Sequence, residues 1–179
     1  DPGATGDVTE LDTFDMVPFS NLVTIVPDIP REQFKEILEN AISRTQPGDT
    51  PGGTGRFPQI AGFSMTWSGS GTAQVLNDDG TVATAGTRVQ DVVLDDGTPI
   101  VAGGAVVPGA DVNIAITDFL ARGGDQYPFR GASFTNVGVS YQQALFNYIV
   151  ADGAAGGLAG LITEGDYPEG GEGRNVELP

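Results

Sequence analysis

"LVTIVPDIPREQFKEILENAISR", residues 22–44, sets a strand pattern directly against a helix pattern. Leu22 to Val26 is an apolar, β-branched run, as expected of a buried strand, with Pro18 and Pro27 bounding it. From residue 30 the period changes. Phe34, Ile37, Leu38, Ala41 and Ile42 fall on one apolar stripe at helical spacing, which predicts a helix over 30–44. Glu32, Lys35, Glu36 and Glu39 are expected to face away from that stripe. Pro30 suits the first turn, and Asp28 is placed to cap it. The stripe is best satisfied by packing on a sheet.

The flanking sequence supplies that sheet. Residues 1–13 are acidic and polar and predict an extended lead-in. Residues 46–56 ("QPGDTPGGTGR") form a Gly/Pro-rich loop that ends the helix. In "FPQIAGFSMTW" (57–67), Phe63, Met65 and Trp67 alternate with small or polar residues, the pattern of a half-buried strand. Short strands are predicted around 72–76, 81–85, 87–94 and 98–101. Two Asp-Asp-Gly turns, at 78–80 and 95–97, separate them, and Asp-Gly supplies the positive φ that tight hairpins need. A strand follows at 112–117 and a second helix at 140–151, where Ser140 and Gln143 suggest a capping box. Tyr141, Leu145 and Ile149 share its stripe, flanked by Phe146 and Tyr148. The Gly-rich, acidic tail (152–179) reads as loop with one short strand near 174–178. Strands and helices mix, hairpins dominate the middle, and no βαβ repeat carries a phosphate loop. The expected class is α+β: a single domain with a mixed sheet, hairpins and two main helices.

Composition narrows the chemistry. The 179 residues suffice for one domain with a real core. Acidic residues outnumber basic ones by 24 to 8, giving a net charge of -16, so a nucleic-acid partner is not expected. Absence of cysteine removes disulfides and thiol chemistry. Absence of histidine removes Ser-His-Asp and Cys-His catalysis and imidazole-based zinc sites. Carboxylates leave calcium or magnesium open, although the twelve-residue calcium-loop pattern is missing. No apolar run approaches the roughly 20 residues that span a bilayer. The opening "DPGATGDVTE" reads like the interior of a longer sequence, so residues 1–179 are expected to be a fragment or processed piece.

"TDFLARGGDQYPF" (117–129) is the most distinctive loop. Its glycines precede a Tyr-Pro-Phe, so a rigid turn can hold an aromatic ring at the end of a strand. Such a ring is either a packing plug or a surface for stacking a flat ligand. Residues alone leave both open, with Phe129 a competitor to Tyr127 for the stacking role.

Several ordered segments resemble the C-terminal domain of the 5'-nucleotidase family: "VPFSNLVTIV" (17–26), "EQFKEILENAIS" (32–43), "GRFPQIAGFSMTW" (55–67), "RVQDVVLDDGTPI" (88–100), "DFLARGGDQYPF" (118–129) and "YPEGGEGR" (167–174). The resemblance spans nearly the whole chain. It implies a nucleotide- or nucleoside-binding domain whose partner is an N-terminal metallophosphoesterase domain holding a pair of divalent metals. This chain then carries no cofactor and no catalytic residue of its own, and the parent enzyme is extracytoplasmic: secreted, periplasmic or at the cell surface.

The resemblance further implies that a base is sandwiched by Phe57, from "GRFPQ", and Tyr127, from the Gly-Gly-Asp-x-aromatic segment. Gly123 and Gly124 would turn the backbone sharply and free the ring from the core. Asp125 is a candidate for ribose or base contact, or for fixing its own loop through an Asx turn. Asn21 is a candidate ligand contact, or simply shapes the turn into the strand. Arg44, Arg56, Arg122 and Arg130 are the arginines able to meet a phosphate. Some members hold the ribose with an acidic residue shortly after the second aromatic; "PFRGASF" (128–134) contains none. Alternatives are the same domain from a UDP-sugar hydrolase or cyclic-nucleotide phosphodiesterase, or a non-catalytic surface module on this fold.

Overall fold

The computed structural model describes residues 6–46, 54–165, 167–168 and 171–179. In chain order these form α1 (Glu10–Met16), β1 (Leu22–Ile29), α2 (Arg31–Ile42), β2 (Phe63–Ser68), β3 (Val75–Leu76), β4 (Val82–Thr84) and β5 (Val89–Leu94). There follow β6 (Pro99–Ala102), β7 (Ala105–Val106), β8 (Val112–Thr117), α3 (Asp118–Ala121), β9 (Thr135–Ser140), α4 (Tyr141–Val150) and β10 (Asn175–Leu178). Three sheets result: β8-β1-β9, β10-β2-β5-β6-β7, and the small pair β3-β4. Pairing is antiparallel except for β10, which runs parallel to β2. The α+β class expected from the sequence is the one observed.

The apolar stripe of α2 forms the centre of the core. Phe34, Ile37, Leu38, Ala41 and Ile42 are buried together with Val26 and Ile29 of β1, Met65 and Trp67 of β2, Val89 and Val92 of β5, and Ile100 and Val101 of β6. Phe34 meets Phe63 edge to face, with ring centroids 5.4 Å apart. Both Asp-Asp-Gly turns close hairpins, β3-β4 and β5-β6, with Gly80 and Gly97 at φ 80° and 86°.

Several expectations are corrected. Residues 1–13 are not extended throughout: Thr9 and Asp12 form a capping box that starts α1. Pro27 does not end β1. The strand continues to Ile29 through a register shift between Val26 and Ile29, with Asp28 at φ 53°, and proline is tolerated at such a bulge. Asp28 therefore belongs to the strand and does not cap α2, whose N-cap position is Pro30 without a side-chain bond.

Glu39 does not face solvent either; it is 1% exposed. Its Oε2 accepts the N–H of Arg88 at 3.1 Å, its Oε1 accepts that of Val89 at 3.0 Å, and Lys35 pairs with it at 3.2 Å. Two backbone donors at the start of β5 compensate the carboxylate for lost water. Arg88 returns the interaction: its Nη1 donates to the carbonyls of Ile42 (2.9 Å) and Thr45 (2.6 Å), satisfying the C-terminal end of α2.

At the start of α4 Ser140 Oγ accepts from Gln143 N, but the Gln143 amide donates to Asn147 rather than closing the expected capping box, and Tyr141, Leu145 and Ile149 are only half-buried. Its buried residue is Gln142, which donates to Thr13 of α1 at 2.7 Å. Strands β7 and β9 have no counterpart among the strands expected from sequence. The tail does carry its one short strand, β10. The Gly/Pro-rich loop falls largely on residues 47–53, outside the described residues.

Candidate functional site

The loop that carries Tyr127 is turned by unusual backbone geometry. α3 ends at Ala121, and Gly123 at φ 94° reverses the chain into a 3-10 turn over Gly124–Gln126. Asp125 and Gln126 also adopt positive φ, 50° and 61°, and Arg130 follows at 52°. Non-glycine residues reach this region only when the surroundings hold them there. Gly124 serves differently: the ring of Phe119 lies where a Cβ would stand.

α2 provides the restraint. Asn40 Nδ2 donates to Asp125 O at 3.3 Å, and Gln33 Nε2 donates to Pro128 O at 2.9 Å and Phe129 O at 3.2 Å. Arg130 pairs with Glu36. Arg56 then ties the loop to the segment before β2: Nη1 donates to Asn40 Oδ1 at 3.1 Å and Nη2 to Gln126 Oε1 at 3.2 Å. Its own carbonyl accepts the hydroxyl of Tyr127 at 2.8 Å. Burial, with help from nearby Arg44, pushes the Arg56 guanidinium below its ordinary value, and Asp125 opposes this. Burial also raises the Tyr127 phenol to about 12, Asp125 acting in the same direction and Arg56 against it.

The aromatic residues singled out in the sequence are thus on two adjoining arms. Phe57 is half-buried and meets Trp67 edge to face, centroids 6.1 Å apart. Tyr127 bonds directly to the residue preceding Phe57. The glycines turn the chain as expected, but they do not free the ring: Tyr127 is 6% exposed and packs in the core, because its hydroxyl finds an acceptor there. Phe129 is 1% exposed and is a core residue. The carbonyl of Asp125, not its carboxylate, makes the anchoring bond to α2. Asn21 lies elsewhere, at the start of β1, its carbonyl accepting from Tyr141 N at 3.1 Å.

Of the candidate phosphate-binding arginines, Arg56 and Arg130 are engaged within the protein. Arg122 is well exposed; it pairs with Asp118 at 3.6 Å and lies 4.9 Å over the Phe134 ring. Arg44 is exposed just beyond α2. Asn40, Gln33 and the structural role of Arg56 were missed from sequence; the one signal was a polar Asn40 beside the apolar stripe of the helix. Among the described residues no group of three or more acidic side chains is placed to hold a metal ion.

Residues 1–131 match the family described as "5'-nucleotidase, C-terminal domain", and the chain belongs to that family. A search of curated proteins gives no match. Among solved structures it is similar to a 5'-nucleotidase precursor from Thermus thermophilus, at 20% identity and a TM-score of 0.63, covering 96% of this chain and 28% of that one. It is also similar to a Staphylococcus aureus protein assigned as a 5'-nucleotidase and solved with alpha-ketoglutarate, at 18% identity and a TM-score of 0.55, covering 81% of this chain and 27% of that one. At these identities the likeness is one of fold. The chain spans 28% of the first relative's length. No helix among the described residues is long and apolar enough to cross a membrane.

Proposed function

We propose that this domain binds the nucleoside part of a nucleotide at the two aromatic arms, the half-buried Phe57 offering the face on which the base stacks and the buried Tyr127 ring supporting that arm, within an extracytoplasmic 5'-nucleotidase that releases nucleoside and phosphate. The observation that carries the reading is the Tyr127 hydroxyl bond to Arg56 O, which brings the two aromatic arms side by side. Stacking suits a base because the base is flat and polarisable, and it tolerates different bases. The domain contributes binding and orientation. In this reading a divalent metal pair in the family's other domain would supply Lewis-acid activation of water.

Calorimetric titration of the chain with adenosine and with AMP tests this. Phe57→Ala is expected to weaken both ligands in parallel, by roughly 5- to 150-fold for a stacking contribution of about 1–3 kcal/mol. Circular dichroism confirms that the variant remains folded. A folded wild-type chain that binds neither ligand, or a Phe57→Ala variant with unchanged affinity, overturns the reading.

A further inference from the structure

We propose that the C-terminal end of α2 is an oxyanion site, in which Arg44 and the Thr45 hydroxyl hold a doubly charged anion of the phosphate class. The site needs no nucleoside and does not rest on the stacking reading above.

The chain's few basic residues are unevenly used. Lys35, Arg122, Arg130 and Arg174 are ion-paired, and Arg31 donates to the carbonyls of Pro99, Val107 and Ala110. Arg44, Arg56 and Arg88 converge instead on the end of α2, and none of them has an ion pair with a described carboxylate. Arg56 donates to Ser43 Oγ at 3.3 Å, Arg88 donates to Ser43 O at 3.4 Å, and Arg44 follows Ser43 directly in the chain. Arg56 and Arg88 are buried, and their acceptors are uncharged amide, hydroxyl and carbonyl oxygens. Glu39, whose carboxylate meets the Arg88 backbone, is already paired with Lys35. The carbonyl end of a helix supplies only about half a negative charge. Set against three guanidinium groups, that leaves an excess of about two charges, and buried charge is ordinarily paired. Burial and the nearby Arg44 accordingly push the Arg56 guanidinium below its ordinary value, with Asp125 opposing.

Two buried hydroxyls beside these arginines lack a partner: Thr45 Oγ1, next to Arg44, and Thr54 Oγ1, two residues before Arg56. Thr45 is 1% exposed, and a hydroxyl buried so deeply is ordinarily bonded. A bound dianion supplies both the acceptor that this hydroxyl lacks and the charge that the arginines lack. Arg44 is exposed, and its planar fork suits two anion oxygens. Arg56 and Arg88, whose bonds are taken, act through their charge.

Calorimetric titration with inorganic phosphate, at ionic strength held constant with sodium chloride, tests the site in wild type, Arg44→Gln and Thr45→Val, with circular dichroism confirming that each is folded. One saturable site is expected in wild type. Arg44→Gln removes a charge-assisted contact and is expected to weaken binding by roughly 10- to 150-fold; Thr45→Val removes a neutral one, for roughly 2- to 10-fold. Thermal unfolding distinguishes the site from a merely structural hydroxyl. Without phosphate, Thr45→Val is expected to melt no lower than wild type, because the hydroxyl it removes is unsatisfied. The rise in melting temperature on adding phosphate is expected to shrink in both variants. A folded wild-type chain that binds no phosphate, or binding that is unchanged in Arg44→Gln, overturns the proposal. So does a Thr45→Val variant that melts lower yet binds phosphate as tightly as wild type, because the hydroxyl is then bonded within the protein.

Discussion

Glu39→Ala is expected to be among the most damaging single substitutions in the domain. The carboxylate is 1% exposed and accepts two backbone N–H groups, those of Arg88 at 3.1 Å and Val89 at 3.0 Å. Alanine leaves both donors buried and unsatisfied. At about 1–3 kcal/mol for each unsatisfied group, the loss is roughly 2–6 kcal/mol. Lys35 adds little to this sum, since its ammonium is partly exposed and also reaches Gly86 O. Domains of this size have a total stability of about 5–15 kcal/mol, so the change is large. Urea unfolding measures it as a fall in midpoint at constant slope. Glu39→Gln retains one acceptor oxygen and is expected to fall between the two. A Glu39→Ala variant within about 1 kcal/mol of wild type would refute the reasoning, because it would mean that water or another group replaces the carboxylate at no cost.

Gly86→Ala places a methyl group against the Glu39 carboxylate and is expected to cost about 1–3 kcal/mol, as overpacking does. In the Glu39→Ala background the carboxylate clash is removed and only the Cβ contact at 3.0 Å remains, so the cost should fall and a double-mutant cycle in urea measures a coupling between the two sites. The Tyr127 phenol gives a pH signature. Its folded value, about 12, lies above the ordinary 10.0, so its contribution is fully present below pH 10 and is lost as pH rises through 12. The loss totals roughly 2–3 kcal/mol, and the difference between wild-type and Tyr127→Phe unfolding curves across that window isolates it. A parallel pair of curves would count against burial of the phenol.

The apolar half of the fold was legible because periodicity reports burial. Phe34, Ile37, Leu38, Ala41 and Ile42 recur at helical spacing, and Met65 and Trp67 alternate, so α2 and β2 could be placed from sequence. Glu39 defeated the same logic. Its partners are main-chain N–H groups at Arg88 and Val89, which no side-chain pattern announces. β9, "TNVGVS", has only Val137 and Val139 alternating around a glycine and is mostly exposed; it is a strand because Thr135, Asn136 and Ser140 find partners on β1. α1 is short and amphiphilic on no clear period, and its one local signal is the Thr9–Asp12 pair. At the candidate site the motif drew attention to Phe57 and Tyr127, but the burial of Tyr127 follows from where the Arg56 carbonyl lies, a tertiary fact.

The pairing of β10 with β2 has a consequence for how the domain is made. β2 carries Met65 and Trp67 into the core, and its outer edge is closed by residues 175–178, in register from Asn175↔Met65 to Leu178↔Ser68. Contacts so distant in sequence raise contact order and slow the search for the native state. During synthesis, every other strand of that sheet leaves the ribosome before β10 does. Until the tail emerges and docks, β2 presents an unpaired edge that can recruit a strand from another nascent chain. Docking of β10 is thus a late step in completing this sheet, and it covers the edge of β2.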